Sequence, residues 1–185
     1  MKTLNRYINE TLTCLHSKHI NEWKANNKNV SSIWEQYFVY KIDENEPTSR
    51  LKIISNACEG FKTHKNNVYV NGKRITLDPG GYYISDNFSP GIYNVLLPSL
   101  LENITNCFYM FYGCENLISV PFIDTSKVHN MYCMFKNCER LQNVPLFNTS
   151  KVKNMSLMFY GCNNLNEQTK QEWSQIYDFE KDDKK

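Results

Sequence analysis

The sequence lacks the patterns that mark the commonest metal-binding, nucleotide-binding and nucleic-acid-binding sites. Its seven cysteines include no C-x-x-C pair, so the spacing of a zinc ribbon is missing. Its seven glycines form neither G-x-x-x-x-G-K-S/T nor G-x-G-x-x-G, so a nucleotide site has no support. The formal net charge is only +2, and no basic cluster indicates nucleic acid. We therefore predict no cofactor, no metal site and no nucleic-acid partner.

Long apolar runs and an export signal are also missing. Residues 1–25 carry charges and asparagine throughout, which argues against a signal peptide and a membrane span. An odd number of cysteines without the spacing of a disulfide framework favours a reducing compartment. The expected location is the cytoplasm or the inside of a virion. The alternative is the cell surface, reached by a route that the sequence does not show.

One frame of about 24 residues is repeated between residues 106 and 165. The frame is N-x-x-x-M-F-x-x-C-x-x-L, and its copies begin at Asn106, Asn130 and Asn154. The first two copies lead through Val-Pro into (D/N)-T-S-K-V. A fixed period in the twenties is typical of stacked units that bury their apolar faces against each other. The repeat therefore predicts an elongated stack.

Each unit predicts one strand and one short helix. L-x-x-V-x-F at residues 117–122 and L-x-x-V-x-L at residues 141–146 end in the alternation of a half-buried strand. Spacings of three and four, typical of a short helical turn, separate the apolar residues Val128, Met131, Met134, Phe135 and Cys138. Stacked units of this kind would place their strands in a parallel ladder.

The frame resembles the BspA-like leucine-rich repeat, found in many bacterial surface-protein sequences. The resemblance covers about residues 98–168 and rests on M-F-x-x-C-x-x-L-x-x-V-P-x-x-(D/N)-T-S-K-V-x-N-M. It implies a curved, right-handed leucine-rich-repeat stack that serves adhesion or protein recognition without catalysis. This chain has only about two full units with partial ones, and it lacks the export signal of the family's surface members.

The predicted fold is α+β. A short leucine-rich-repeat solenoid, with a parallel strand ladder and short helices, follows an N-terminal helix and β-hairpin segment and is closed by a C-terminal capping helix. The predicted domains are residues 1–90, which cap the repeats, residues 91–165, which form them, the capping helix at 166–180 and a charged tail at 181–185.

Local patterns support these outer segments. A helix at about residues 3–24 is predicted by one apolar face, formed by Leu4, Ile8, Leu12, Leu15, His19 and Trp23. Asn71-Gly72 predicts a type I′ turn in a hairpin at about residues 67–77, since both turn positions need positive φ. The alternation of Tyr93, Val95 and Leu97 predicts a strand that forms the first rung beneath the repeats.

We expect a protein partner to bind the concave face of the strands. If Val120 and Phe122 point inward, their neighbours point outward. The outward residues of three successive rungs are Asn94, Leu96, Ser119, Pro121, Ile123, Asn143, Pro145 and Phe147. Apolar side chains on a solvated face often mark interaction sites. The alternative is that Ile123 and Phe147 fold under the N-terminal segment or a cap.

Catalysis has little support. Cys58 and His64 are the only arguable Cys–His pair, and closeness in sequence is poor support for a dyad. The C-x-H-x-x-H string at residues 14–19 has no further ligand pair for a metal. His129 occupies a variable position of the repeat. We therefore predict that the protein is not an enzyme, with an enzyme that uses Cys58 as the remaining alternative.

The predicted function is a non-catalytic protein–protein interaction module. One alternative is a structural or accessory component of a larger assembly, such as a bacteriophage particle or a bacterial surface layer, formed by self-assembly. Another is an inhibitor protein that blocks a host target. The sequence does not distinguish these binding roles, because a repeat architecture does not determine the ligand.

Overall fold

The chain forms a five-stranded antiparallel sheet that packs against the repeats. The computed structural model of the protein describes residues 37–46, 51–55, 68–77, 84, 87–97 and 104–182, all within one compact unit. The strands are β1 (Tyr37–Ile42), β2 (Val68–Val70), β3 (Lys73–Ile75), β4 (Gly91–Leu96) and β5 (Leu117–Ser119), in the order β3-β2-β4-β1-β5. Two short helices follow the repeats, α1 (Glu167–Trp173) and α2 (Phe179–Asp182).

Strand β1 lies between the rest of the sheet and the repeats. Alternate side chains, those of Phe38, Tyr40 and Ile42, are fully or almost fully buried. The Phe38 ring lies 5.1 Å from the Phe111 ring, and the Tyr40 hydroxyl donates to the Ile53 carbonyl at 3.0 Å. Val39, on the opposite face, is also buried at 5% exposure, so the middle of β1 is covered on both faces.

Strands β2 and β3 form a hairpin around Asn71 and Gly72. The φ angles of these two residues are 48° and 80°, in the left-handed region that a two-residue hairpin turn needs. The Asn71 side-chain oxygen and main-chain N–H both bond to the main chain of Asn94, each at 2.9 Å, so the turn is fastened to β4.

The predicted leucine-rich-repeat solenoid with a parallel strand ladder is wrong. Strand β5 pairs antiparallel with β1, and β4 pairs antiparallel with β1 and β2 rather than forming a rung beneath the repeats. Between repeats, the parallel pairing in the described residues consists of isolated bridges, one of them joining Ser119 to Asn143. A ladder cannot continue through Pro121 and Pro145, because proline has no N–H to donate.

The predicted short helices of the repeats are wrong too, because the Met-Phe segments are turns. Residues on both sides of each Met-Phe pair have positive φ, which ends a right-handed helix after a few residues. The φ values lie between 53° and 76° at two frame positions, occupied by Tyr109, Cys133 and Leu157 and by Gly113, Asn137 and Gly161. Spacings of three and four therefore arose from turns that bury the same positions as a helix.

Main-chain hydrogen bonds join the turns of successive units. The N–H groups of one unit donate to the carbonyls of the next, as from Phe111 to Met134 at 2.8 Å and from Phe135 to Met158 at 3.0 Å. Alternate residues take part, with donors Cys107, Tyr109, Phe111 and Gly113 in the first unit and Met131, Cys133, Phe135 and Asn137 in the second. Buried peptide groups are thus satisfied without a regular strand or helix.

A column of aromatic rings fills the interior of the repeats. Phe111, Phe135 and Phe159 occupy one frame position, and their rings stack at centroid distances of 5.5 and 5.7 Å with interplanar angles of 4° and 9°. Phe38 of β1 contacts one end of the column, and Phe179 of α2 stacks on the other at 5.6 Å. The column joins the sheet, the repeats and the last helix into one core.

Residues 51–55 lie along the edge of the first unit where main-chain carbonyl groups need hydrogen-bond donors. The Ser55 N–H donates to the Met110 carbonyl, and the Lys52 ammonium donates to the Tyr112 carbonyl, both at 2.8 Å. In the next unit, the equivalent carbonyls of Met134 and Lys136 accept from main-chain N–H groups. A lysine side chain therefore takes the place of a peptide donor at this end.

Helix α1 covers the opposite edge. It begins after Asn166, whose side chain accepts from the Thr169 N–H at 2.7 Å, an N-cap bond. The Thr169 hydroxyl accepts from the Val144 N–H and donates to the Gln142 carbonyl, and the Trp173 indole donates to the Val144 carbonyl. Side chains of α1 therefore satisfy groups that a further repeat would otherwise have bonded.

The predicted N-terminal helix at about residues 3–24 lies outside the described residues. So do Cys14, His16, His19, Cys58 and His64. The division of the chain at residue 90 stays a prediction, although strands from both sides of that position share one sheet.

Replacing Gly161 by alanine should destabilise the protein. Gly161 has φ +76°, and an added Cβ would lie 2.6 Å from the Asn137 side-chain oxygen. We expect Gly161→Ala to lower the free energy of unfolding, measured by urea denaturation, by about 1–3 kcal/mol.

The matched control is Gly113→Ala, at the same frame position with φ +64°, where an added Cβ meets only the end of the Lys52 side chain at 3.1 Å. Its loss should be smaller, and Asn137→Gly should recover part of the Gly161→Ala loss. Equal losses in the two glycine variants would contradict the proposed contact.

Candidate partner-binding surface

The residues predicted to form a concave binding face differ in their exposure to solvent. Ser119, Asn143 and Pro145 are half-buried, so they keep some contact with solvent. The other five are buried, namely Asn94, Leu96, Pro121, Ile123 and Phe147. Whether any of them binds a partner stays a prediction, but the buried ones do not present an open face.

The expectation that Ile123 and Phe147 point outward is wrong. Ile123 is completely buried, and Phe147 packs at 5.7 Å against Trp173 of α1. The alternative that they fold under a cap is correct for Phe147, since α1 supplies that cap. The strand alternation could not be extended this far, because β5 ends at Ser119, before Pro121.

The exposed apolar residues are instead the ones predicted to point inward. Phe122 is 52% exposed and Leu146 is 44% exposed. The two occupy the same position of adjacent units, immediately after Val-Pro. We call the surface formed by Ser119, Phe122, Asn143, Pro145 and Leu146 the Val-Pro edge. Large apolar side chains that are exposed at equivalent positions of adjacent units form a candidate interaction site.

Asn94 is buried within the sheet beside the hairpin turn. It is only 4% exposed, and its main chain bonds to Asn71. Within the described part of the chain, its side-chain nitrogen Nδ2 has no hydrogen-bond partner. A buried amide without a partner costs stability, so this residue does not act as an exposed contact.

A polar connection links the Val-Pro edge to helix α1. Ser119 and Asn143 are joined by a parallel bridge, and Asn166 donates its side-chain N–H to the Asn143 side-chain oxygen at 2.5 Å. Because Asn166 is also the N-cap of α1, the orientation of Asn143 is set by that helix. The half-buried polar groups of this edge are therefore held in place before any partner binds.

A second exposed region lies on the turns. Phe108 and Tyr132 occupy one frame position and stack at 5.5 Å with an interplanar angle of 19°. Tyr109 contacts both rings edge-on, at 4.5 and 5.5 Å, and Tyr112 contacts Tyr109 at 5.1 Å. All four residues are half-buried, so the turns present a group of aromatic side chains to solvent. We call this group the aromatic turn face.

An ion cluster fastens the loop after β1 to the second repeat. The Arg140 guanidinium contacts Asp43 at 2.9 Å and Glu46 at 2.5 Å, and Lys41 also contacts Asp43. The Lys41 hydrogen bond and the Arg140 charge hold the pKa of Asp43 below its ordinary value. These groups are satisfied by one another, so they form a structural contact rather than an open charged site.

The repeat thiols are buried and poorly suited to nucleophilic chemistry. Cys107, Cys114, Cys133, Cys138 and Cys162 are buried. The thiols of Cys138 and Cys162 donate to the carbonyls of Phe111 and Phe135 in the preceding unit, each at 3.0 Å. Burial raises the pKa of Cys114 to about 12, and it raises the pKa of Cys138 well above its ordinary value. Only thiolates attack efficiently, so Cys114 and Cys138 are inert near neutral pH.

Within the described ranges, no group of three or more His, Cys, Asp or Glu side chains is arranged to hold a metal ion. His129 is exposed and lies outside any such group. Across the same ranges, no helix is long and apolar enough to cross a bilayer.

The described chain is thus a small sheet-and-turn protein built around 24-residue repeats. A family model described as "Mycoplasma protein of unknown function, DUF285" matches residues 99–181, somewhat less than half of the chain. That family is related to BspA-like repeats, so the resemblance is supported at this coarser level. Comparisons with curated proteins and with solved structures gave no significant match.

Sequence reasoning missed the aromatic turn face and the exposure of Phe122 and Leu146. The frame positions of Phe108 and Tyr132 could have been found by aligning the units at 24 residues, since columns of one residue type become side-by-side neighbours. The exposure of Phe122 had no comparable signal, because it depends on how the chain continues past Pro121.

The buried thiols predict a loss of stability at alkaline pH. The unfolded chain ionises its thiols above about pH 9, whereas Cys114 in the folded chain stays neutral up to about pH 12. The unfolded state therefore releases protons first, and the free energy of unfolding should fall between these values, by about 1.4 kcal/mol per pH unit for each such thiol.

Urea denaturation between pH 8 and pH 11 measures this slope. The double variant Cys114→Ala with Cys138→Ala removes both thiols but leaves the other titrating groups in place. Its stability should fall less steeply with pH than that of the natural chain. Parallel curves would show that these thiols are not protected from ionisation by folding.

Proposed function

We propose that this protein is a non-catalytic protein–protein interaction module that binds a protein partner through the Val-Pro edge. The observation that carries the proposal is the matched exposure of Phe122 and Leu146 at one position of adjacent units. Burying such side chains is a main source of affinity in protein interfaces, and the half-buried Ser119 and Asn143 beside them can supply polar contacts.

Other parts of the chain cover both ends of the stack of repeats, which favours partner binding at the side of the stack. Lys52 and Ser55 satisfy carbonyls at one end, and Thr169 and Trp173 satisfy main-chain groups at the other. The edge strand β3 carries the exposed charged residues Lys73 and Arg74, which discourage pairing with another sheet. These features count against an assembly that grows by adding copies end to end.

The raised pKa values of Cys114 and Cys138 count against nucleophilic chemistry by these two thiols, which is consistent with a binding role. An odd number of cysteines without the spacing of a disulfide framework fits a reducing compartment, so we propose that the interaction takes place in the cytoplasm or inside a virion. The repeated frame resembles BspA-like repeats, and this resemblance implies recognition rather than chemistry; the family that matches residues 99–181 is related to those repeats.

A charged residue in the centre of the Val-Pro edge should abolish partner binding without unfolding the protein. We expect Phe122→Asp to weaken capture of the partner at least tenfold, because loss of a central apolar contact commonly costs about 2 kcal/mol or more. The measurement is a pull-down with the tagged full chain from lysate of the source cell, quantified by mass spectrometry.

The matched control is Ile176→Asp, which changes an isoleucine that is 41% exposed outside the Val-Pro edge. Circular dichroism checks that both variants are folded. The proposal predicts that the partner is lost only with Phe122→Asp. A partner recovered equally with both variants, or recovery of the protein alone, would contradict it.

A further inference from the structure

The aromatic turn face ends where the repeat frame supplies no further ring. The inner column has phenylalanine in all three units, at positions 111, 135 and 159. The outer column has Phe108 in the first unit and Tyr132 in the second, but Ser156 in the third. Stacking on Phe108 covers one face of the Tyr132 ring. The opposite face is directed toward the third unit, where the frame position holds a serine.

The main chain at Ser156 keeps the conformation of the units before it. Its N–H donates to the Asn154 side-chain oxygen at 3.0 Å, and the equivalent N–H of Tyr132 donates to Asn130 at 2.9 Å. Its carbonyl accepts from the Cys133 N–H at 3.1 Å. Ser156 itself is exposed. The third unit thus has the right geometry for a stacked ring and lacks only the ring. We call this position the ring gap.

Positive charge stands close to the ring gap along the chain, since Lys153 precedes Ser156 by three residues. Lys153 is exposed and follows His129 in a neighbouring column, joined to it by a main-chain bond of 2.9 Å. The Lys136 ammonium lies 4.8 Å from the centre of the Tyr160 ring. Between residues 141 and 166 the sequence contains no Asp or Glu. An incoming ring is therefore most favourable when acidic groups accompany it.

We propose that the ring gap receives an aromatic side chain from an acidic segment of a partner protein. The incoming ring would stack on Tyr132 as Tyr132 stacks on Phe108, at a distance within the range that aromatic pairs prefer. Carboxylates beside it would face Lys153. A protein segment is favoured over nucleic acid, because Phe108 and Tyr132 already stack on each other and leave one ring face for a single incoming ring.

This site goes beyond the Val-Pro edge, because it uses different positions of the repeat. The two proposals can fail independently. Phe122→Asp should bind an aromatic acidic peptide as the natural chain does, so the outcome at the ring gap leaves the Val-Pro edge untouched.

Nuclear magnetic resonance of the ¹⁵N-labelled full chain tests the proposal with a peptide of sequence Glu-Glu-Tyr-Glu-Glu. We expect shift changes centred on the amides of Ser156 and Leu157 and on the Tyr132 ring. A peptide with alanine in place of tyrosine should bind about threefold to tenfold more weakly, the effect of one aromatic pair. A peptide with lysine in place of glutamate should bind more weakly still.

The most direct variant places an aromatic ring of the chain itself in the ring gap. Ser156→Tyr should continue the outer column, keep or raise the melting temperature, and abolish the shift changes of the Tyr132 ring when the tyrosine peptide is added. The matched control, Ser156→Ala, leaves the gap open and should bind as the natural chain does. If Ser156→Tyr does not fold, Lys153→Glu replaces it, with an expected loss of about threefold or more.

Three results would overturn the proposal. The first is a Tyr132 ring shift that persists in Ser156→Tyr, or unchanged peptide affinity in Lys153→Glu. The second is equal affinity for the tyrosine and alanine peptides, or no shift at Ser156 at millimolar peptide. The third is tighter binding of a short single-stranded oligonucleotide than of the peptide at the same position, which would assign the gap to a base instead.

Discussion

Every repeat unit has main-chain donors and acceptors on its two edges, and each of these groups must find a partner when buried. In this protein, alternate N–H groups of one unit meet the carbonyls of the next, as from Tyr109 to Tyr132 and from Cys133 to Ser156. Because these main-chain bonds hold the units in register, the phenylalanine rings stack in one column and the thiols reach the carbonyls of the preceding unit. It also explains the two ends, since a chain of few units must satisfy its last groups with side chains such as Lys52 and Thr169.

The 24-residue period could be predicted from the sequence, whereas the path of the chain within each period could not. A 24-residue frame is visible because stacking demands the same residue type at equivalent positions, and the Asn71-Gly72 turn is visible because few residues accept its positive φ. Apolar spacings of three and four suit a helix and a turn equally, so left-handed residues such as Asn137 decided the outcome. Tertiary contacts determine which residues after Pro121 are buried. Ile123 is therefore buried and Phe122 is exposed, the reverse of the prediction.

Under the proposed function, the covered ends leave the sides of the repeats for a partner. Among the described residues, the Val-Pro edge and the aromatic turn face lie on these sides, and they differ in chemistry. The first offers Phe122 and Leu146 with polar neighbours that are already positioned, whereas the second offers aromatic rings such as Tyr132. A partner that used both would gain affinity from two modest contacts, each of which is weak alone. The rigid, hydrogen-bonded turns hold both surfaces in place, which limits the entropy lost on binding.

Site-specific photo-crosslinking in the source cell tests the central claim most directly, namely that the protein recognises a partner through the side of its repeats. A photo-reactive benzoylphenylalanine would stand in place of Phe122, Leu146 or, as the reference, Ile176. The account predicts one adduct of the same mass from the first two positions and none from Ile176. An adduct of equal yield from Ile176, or none from Phe122 and Leu146, would contradict it.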